Sequence, residues 1–135
     1  MIEYLADSDC LIDYLKGKDA TFSLLAPLIQ KGSLATSIIV YAEVYEGLLH
    51  AGAREAYRQL LVDVIAGVPV IGLDIEIGQL FAAARAELRR QGQLIPDHDL
   101  WIAATALRHQ LTIISSDRHF ERIPGLKRLQ PEPLE

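Results

Sequence analysis

Residues 95–120 read IPDHDLWIAATALRHQLTIISSDRHF, and they contain a helix-like stretch followed directly by a strand-like one. Pro96 and Asp97 are typical of a helix start, and the alanine-rich segment after them predicts a helix over Asp99–Arg108. Leu111–Ser115 is a short, mostly apolar run, which predicts a buried strand. A helix that leads into a buried strand is typical of a parallel sheet, so this stretch favours an α/β fold.

The rest of the chain repeats this alternation of short apolar runs and longer helical patterns. Further strands are predicted at Ile2–Ala6, Leu34–Thr36, Val68–Gly72 and Leu126–Leu129. Further helices are predicted at Asp9–Lys16, Thr21–Gln30, Ser37 to about His50, Arg54–Ile65 and Asp74 to about Arg90, with a helical turn at Asp117–Glu121. Strands separated by helices indicate a parallel sheet with helices packed against it.

The length of 135 residues predicts one domain over residues 1–135, with a frayed, Pro-rich tail at 130–135. Half of the residues are hydrophobic, which excludes a disordered chain. Lys and Arg total 13 against 18 Asp and Glu, so the net charge is −5. This acidity does not favour nucleic-acid binding, because contacts with phosphates need basic residues.

Cysteine content and hydropathy restrict the possible classes further. The single cysteine, Cys10, excludes an intramolecular disulfide and a cysteine-rich zinc site. The N-terminal sequence MIEYLADSD lacks the basic segment of a signal peptide, and no apolar run approaches the roughly 18 residues of a membrane span. These features predict a soluble protein of the cytoplasm.

Four acidic residues stand out because each lies in or beside an apolar stretch; they are Asp7, Glu43, Asp99 and Asp117. Burying a charge is costly, so such carboxylates need partners. Asp7 and Asp117 each follow a predicted strand, and open parallel sheets bind ligands at the carboxyl ends of their strands. If the two strands are neighbours, these two acids lie at the same edge of the sheet.

Glu43 and Asp99 lie on predicted helices that can reach this edge. Glu43 is well inside its helix but falls outside the apolar stripe, and Asp99 opens a helix whose small residues allow close approach to the sheet. Converging carboxylates repel each other unless a cation is present, and Mg²⁺ or Mn²⁺ prefers oxygen ligands. Such ions can stabilise the attacking and leaving oxygens at a phosphodiester, which points to metal-dependent chemistry.

Each acid also has an ordinary explanation. The acids at predicted helix starts are Asp7, Asp9, Asp97, Asp99 and Asp117. There a carboxylate can simply cap free backbone N–H groups. Glu43 caps nothing, because it is in the middle of a helix, but it could be a solvated surface residue. Capping and metal binding are compatible, since a helix N-terminus favours a carboxylate in either role.

Several other polar residues are weaker candidates. Ser8 and either Ser115 or Ser116 could orient water at a metal, although serines in turns need no function. His119 could position a phosphate, but beside Phe120 it is more typical of a packing histidine. The basic residues that could contact phosphate are Arg85, Arg89, Arg90 and Arg118.

Three stretches resemble the motifs of the PIN-domain family, and within it the VapC-type toxins of prokaryotic toxin–antitoxin pairs. YLADSDCLIDYLKG, at residues 4–17, is similar to the family's opening strand, aspartate and helix. SIIVYAEVYEGL, at residues 37–48, resembles the second motif. DLWIAATALRHQLTIISSDRHFERIPGL, at residues 99–126, resembles the third and fourth motifs run together. The similarity covers nearly the whole chain.

The resemblance implies a three-layer α/β/α fold with a short parallel sheet of four to five strands. It also implies a homodimer, an antitoxin as partner, and an endoribonuclease that needs Mg²⁺ or Mn²⁺. By position, the catalytic and metal-binding acids are Asp7, Glu43, Asp99 and Asp117. The secondary candidates are Asp9, Asp97, Ser8 and Ser116, and the possible RNA contacts are Arg85, Arg89 and Arg118.

Two positions depart from the pattern of the family. Relatives often have Asn or Ser where this chain has Asp9, and Asn where it has Asp117. Both changes add negative charge, so this site is expected to require a cation at least as strongly as its relatives do.

Two other functions are compatible with parts of the sequence. The triplet Asp7-Ser8-Asp9 after a strand resembles the start of haloacid-dehalogenase-type phosphatases, but residues 111–116 lack the lysine that this scheme requires. The other alternative is a PIN-like module that binds RNA or protein without cleavage. The presence of all four acids disfavours it, because a binding module gains nothing from buried charge.

Overall fold

The computed structural model describes residues 1–50 and 55–132. In these residues the chain forms five strands: β1 Tyr4–Ala6, β2 Leu34–Ser37, β3 Val70–Ile71, β4 Thr112–Ile114 and β5 Arg128–Leu129. The same residues form α1 Ser8–Leu15, α2 Asp19–Lys31, α3 Ile38–His50, α4 Glu55–Gly67, α5 Ile75–Arg90 and α6 Asp97–His109, and a 3₁₀ helix at Arg118–Arg122. The predicted alternation is confirmed. The predicted helix start at Arg54 and the last three residues of the tail lie outside the described residues.

The five strands form one parallel sheet in the order β3-β2-β1-β4-β5. The central strand β1 pairs with β2, where Tyr4 lies opposite Leu34, and with β4, where Tyr4 lies opposite Thr112. The chain moves from β1 to one side through β2 and β3, and then crosses to the other side through β4 and β5. Strand order therefore reverses between β1 and β4, which is where open α/β sheets bind ligands.

Helices cover both faces of the sheet. Crossovers between parallel strands are right-handed, so crossovers that leave the centre in opposite directions place their helices on opposite faces. Accordingly, α1 contacts α2, α3 and α4, whereas α5 packs against α6. The expected three-layer α/β/α fold is confirmed, with five strands in its sheet.

Every predicted strand is present, but most are shorter than the apolar runs that predicted them. β1 begins at Tyr4 instead of Ile2, and β3 begins at Val70 instead of Val68. For β3 the reason is local. Pro69 has no N–H and cannot donate a hydrogen bond to a neighbouring strand. The Val68 N–H donates to the Ile65 carbonyl at the end of the preceding helix and is not available to the sheet.

α6 has the longest buried stretch of any helix in residues 1–50 and 55–132, because Asp99, Leu100 and all of residues 102–106 are buried. Three of these positions, Ala103, Ala104 and Ala106, have small side chains, which let a helix backbone pack closely. The core beside it includes the fully buried strand residues Leu5, Ile113 and Ile114. α6 is therefore anchored along its length, and its first turn has a fixed position.

Side-chain caps are present at two of the predicted helix starts. The Ser37 hydroxyl accepts a hydrogen bond of 3.1 Å from the Val40 N–H at the start of α3. The Asp74 carboxylate accepts one of 2.8 Å from the Ile77 N–H at the start of α5. Separately, no helix in residues 1–50 and 55–132 combines the length and hydropathy needed to span a bilayer.

Candidate active site

Asp7 lies directly after β1, and its side chain is buried, with only 4% of its surface exposed. It caps α1, because its Oδ1 accepts a hydrogen bond of 2.8 Å from the Ser8 N–H. Its Oδ2 accepts a second bond of 2.7 Å from the Ser115 hydroxyl. Burial raises the pKa of Asp7 to about 7; the two hydrogen bonds oppose this shift, and the charges of Asp9 and Asp99 add to it.

Ser115 joins Asp7 to Asp117 across the central strands. Its fully buried hydroxyl donates to Asp7 and accepts a hydrogen bond of 3.0 Å from the Asp117 N–H. Ser115 follows β4 as Asp7 follows β1, so the pairing of these strands brings the two acids to one edge of the sheet. Ser116, which we predicted as a secondary candidate, is exposed, and Ser115 is the serine that contacts the acids.

Asp99 lies in the first turn of α6, and 5% of its surface is exposed. It caps nothing, since the residue before the helix is Pro96 and no side-chain cap is present there. Instead, its two oxygens face two histidines. His98 Nε2 is 3.3 Å from Oδ1, and His119 Nδ1 is 3.1 Å from Oδ2.

Asp117 caps the 3₁₀ helix, because its Oδ1 accepts a hydrogen bond of 2.9 Å from the His119 N–H. The same oxygen is 3.2 Å from His119 Nδ1. Ligand atoms of Asp99, Asp117 and His119 all lie within 4.8 Å of one another. The sequence assigned His119 to packing, so its place between two acids was missed.

Glu43 extends from α3 toward α6, which α3 contacts. Its Oε2 is 3.9 Å from His98 Nε2. Its Oε1 is buried and receives no hydrogen bond from any residue in the described part of the chain. Burial raises the pKa of Glu43; His98 opposes the shift, and the charges of Asp99 and Asp9 add to it. Glu43, the acid that is not at a helix start, is therefore close to the others and only partly exposed.

The secondary acids Asp9 and Asp97 have different positions. Asp9 is partly buried, its Oδ1 accepts a 2.9 Å bond from the Cys10 N–H, and its charge acts on Asp7. Asp97 is exposed and pairs with Arg85 at 3.1 Å. Asp97 is thus held by an ion pair on the surface, although it is only two residues from the buried Asp99.

The basic residues predicted to contact RNA also differ in how available their side chains are. Arg85 is occupied by its ion pair with Asp97. Arg89 is exposed in the last turn of α5. Arg118 follows Asp117 directly, and its side chain is 83% exposed, with a loose contact of 3.6 Å to Glu121. Of the three, Arg118 is the closest in sequence to the acids.

The four acids are connected by one continuous series of contacts. In order, the contacts join Asp7, Ser115, Asp117, His119, Asp99, His98 and Glu43. The cluster fits a divalent cation: its donors are mainly carboxylate oxygens, and Glu43 has a buried oxygen without a donor in the described residues. The pKa of Asp7 is raised mainly by burial, and the neighbouring charges of Asp9 and Asp99 add to the shift. Such a site can activate water and stabilise negative charge at a phosphodiester.

Comparison with known proteins shows the family of the chain. The family model described as PIN domain matches residues 4–126. Ribonuclease VapC1 of Methanocaldococcus jannaschii is 31% identical over 126 residues, which cover 91% of this chain and 84% of that protein. Ribonuclease VapC2 of Rickettsia felis is 27% identical over 127 residues, which cover 93% of this chain and 95% of that protein.

Solved structures show the same fold. VapBC2 from Rickettsia felis, bound to a DNA fragment from its promoter, is similar with a TM-score of 0.86 and 25% identity, over 96% of this chain and 98% of that chain. VapBC-1 from nontypeable Haemophilus influenzae is similar with a TM-score of 0.82 and 25% identity, over the same shares. The chain therefore belongs to the PIN-domain family, among the proteins named ribonuclease VapC.

Proposed function

We propose that this protein is a metal-dependent endoribonuclease that acts as the toxin of a toxin–antitoxin pair. One structural observation carries the proposal: the buried carboxylates Asp7 and Asp99 lie with Glu43 and Asp117 at the edge of the sheet where strand order reverses. The names of the VapC ribonucleases supply the substrate class, RNA.

In this proposal Asp7, Glu43, Asp99 and Asp117 hold the divalent ion, Mg²⁺ or Mn²⁺. When bound, the ion supplies a Lewis acid that stabilises charge on the phosphodiester and lowers the pKa of water. The residues of the chain keep the carboxylates in place. The Ser8 N–H and the Ser115 hydroxyl each hold one oxygen of Asp7, so this carboxylate cannot rotate freely.

Substrate binding must overcome the negative charge of the site. Arg118 is exposed beside Asp117 and is free to contact a phosphate at little cost, because its contact with Glu121 is exposed and weak. Arg89 remains a second candidate, whereas Arg85 would first have to leave Asp97. Single-stranded RNA suits a recessed acidic site, since its nucleotides can be splayed out and reach buried groups.

We propose an antitoxin as the protein partner, by analogy with the VapBC complexes that share this fold. We also propose a homodimer in the cytoplasm. Exposed apolar residues on α3 and α4 support an interface with a second copy; they include Tyr45, Leu49, Leu60 and Val62.

Cleavage of a single-stranded RNA tests the enzymatic proposal. We expect cleavage with Mg²⁺ or Mn²⁺, none after chelation with EDTA, and loss of cleavage in Asp7→Asn. Asp97→Asn is the matched control, because Asp97 is an exposed acid paired with Arg85. Cleavage that persists in Asp7→Asn and in excess EDTA contradicts the proposal. Binding of RNA without cleavage under all conditions favours a non-catalytic module instead.

A further inference from the structure

We propose that His119 is a direct ligand of the divalent ion, and that this nitrogen ligand makes the site select Mn²⁺ over Mg²⁺. The inference rests on the proposed function, because it concerns the ion that the same carboxylates would hold. It concerns a residue of this chain that the sequence assigned to packing.

The position of His119 Nδ1 is the first support. This atom is 3.1 Å from Asp99 Oδ2 and 3.2 Å from Asp117 Oδ1. A ring nitrogen carries at most one hydrogen, so it cannot make a full hydrogen bond to both carboxylates. Adjacent ligands in an octahedral site with bonds of about 2.1 Å are roughly 3 Å apart, which matches the distances from Nδ1 to the two carboxylate oxygens. A cation between the three atoms would satisfy all of them.

The rigidity of the turn that carries His119 is the second support. The Asp117 carboxylate caps the 3₁₀ helix through the His119 N–H, and Phe120 is fully buried beneath it. The Asp117 N–H is itself bonded to Ser115. Backbone contacts therefore fix the turn that carries His119, and the contact of its Nδ1 with Asp99 orients the ring, as expected for a preorganised ligand.

His98 provides an internal comparison within the same cluster. Its Nε2 is 3.3 Å from Asp99 Oδ1 but 3.9 Å from Glu43 Oε2, whereas His119 Nδ1 lies within 3.2 Å of two carboxylate oxygens. His98 lies outside the group of ligand atoms formed by Asp99, Asp117 and His119. We therefore assign the nitrogen ligand to His119 and not to its neighbour.

The consequence for the metal follows from ligand chemistry. Both ions favour oxygen ligands, but Mg²⁺ is bound almost entirely by oxygen, whereas Mn²⁺ is a first-row transition ion that accepts an imidazole nitrogen more readily. A site with one imidazole among carboxylates keeps enough oxygen for Mn²⁺ and penalises Mg²⁺.

Pulsed electron paramagnetic resonance of bound Mn²⁺ tests the assignment without measuring activity. Tag-free, metal-free protein receives less than one equivalent of Mn²⁺, and electron spin echo envelope modulation detects any coupled ¹⁴N nucleus. We expect imidazole nitrogen modulation in the wild type and in His98→Asn, and its loss in His119→Asn. Calorimetric titration should show Mn²⁺ affinity falling by about tenfold or more in His119→Asn, with a smaller change for Mg²⁺.

The outcomes separate this inference from the proposed function. Mn²⁺ binding without nitrogen modulation in the wild type overturns the His119 assignment, while EDTA-sensitive RNA cleavage would still stand. Equal losses of Mn²⁺ and Mg²⁺ affinity overturn the selectivity. If His119→Asn does not fold, replacing the other three histidines, His50, His98 and His109, gives the same answer. Modulation that persists in that triple variant supports His119, and its loss overturns the assignment.

Discussion

The hydroxyl of Ser115 donates a hydrogen bond of 2.7 Å to Asp7, a residue 108 positions away in sequence. The bond joins the carboxyl ends of β1 and β4, which are adjacent only because the chain crosses the sheet after β3. Because Ser115 also receives the Asp117 N–H, one buried hydroxyl sets the positions of two acids. Ser115 is thus a positioning residue for the proposed metal site.

Replacing Ser115 with Ala is expected to weaken Mn²⁺ binding by about tenfold or more, because the Asp7 carboxylate loses the donor that orients it. Stability is expected to fall by about 1–3 kcal/mol, since buried polar groups lose a partner. Titration calorimetry and urea unfolding measure the two effects. Ser116→Ala is the matched control, because Ser116 is exposed. Equal Mn²⁺ affinity in the two variants would show that Ser115 does not position the site.

The pKa of Asp7 leads to a prediction about pH and stability. Its folded-state pKa is about 7 against an ordinary value of 3.8, so the folded protein favours the protonated carboxyl. The stability that this preference contributes is fully present below about pH 4 and is lost as pH rises through about 7. Metal-free wild type should therefore lose stability over this window, and Asp7→Asn should lose less.

Urea unfolding with a chelator, at about pH 5 and about pH 8, measures this difference. At the higher pH, the free energy of unfolding of Asp7→Asn is expected to exceed that of the wild type by about 1–3 kcal/mol. Saturating Mn²⁺ should restore the stability of the wild type at the higher pH, because a ligand that binds only the folded state stabilises it. A gap between the two proteins that is independent of pH would refute the burial of an ionisable Asp7.

The order of elements and part of the site could be predicted from the sequence, because both follow from local patterns. Apolar runs located the strands, and the strand ends placed Asp7 and Asp117 at one edge once β1 and β4 were neighbours. Strand length was less predictable: β3 begins two residues later than predicted, because Pro69 lacks an N–H and Val68 still bonds to the preceding helix. Whether the four acids bind a metal stays a prediction.

The histidines show where sequence reasoning was insufficient. His119 contacts Asp99, which is 20 residues earlier in the sequence. The contact depends on how the 3₁₀ helix packs against the start of α6. No periodicity in the sequence encodes such a contact. One feature of the sequence could have indicated a role in the site: His119 lies two residues after Asp117, an acid at the end of a predicted strand. A histidine that only packs can occupy the same position.

Ala103 on α6 tests how the core positions Asp99. It is fully buried, so Ala103→Leu is expected to push the helix from its place at a cost of about 1–3 kcal/mol. Asp99 should move with the first turn, and RNA cleavage should fall even under conditions where the protein stays folded. Ala83→Leu, on the exposed side of α5, is the control. Full activity in a destabilised Ala103→Leu would show that the site tolerates movement of α6.

The proposed homodimer is tested at Leu49, which is 52% exposed near the end of α3. Leu49→Asp would place a charge in an apolar interface, so sedimentation velocity should show a shift from dimer toward monomer. Ile75→Asp is the control on α5, where Ile75 is 80% exposed. If the dimer persists in Leu49→Asp but dissociates in Ile75→Asp, the interface involves α5 and not α3.

We propose that the buried acids, and not acidity in general, carry out metal-dependent cleavage of RNA. Asp99 and Asp97 allow the most direct test, because they lie in the same helical turn, one buried in the cluster and the other paired with Arg85 on the surface. The measurement is the cleavage rate of a labelled single-stranded RNA at saturating Mn²⁺. We expect a loss of about a hundredfold or more in Asp99→Asn and a rate close to the wild type in Asp97→Asn. Equal rates in the two variants would show that the buried acid has no special role in cleavage.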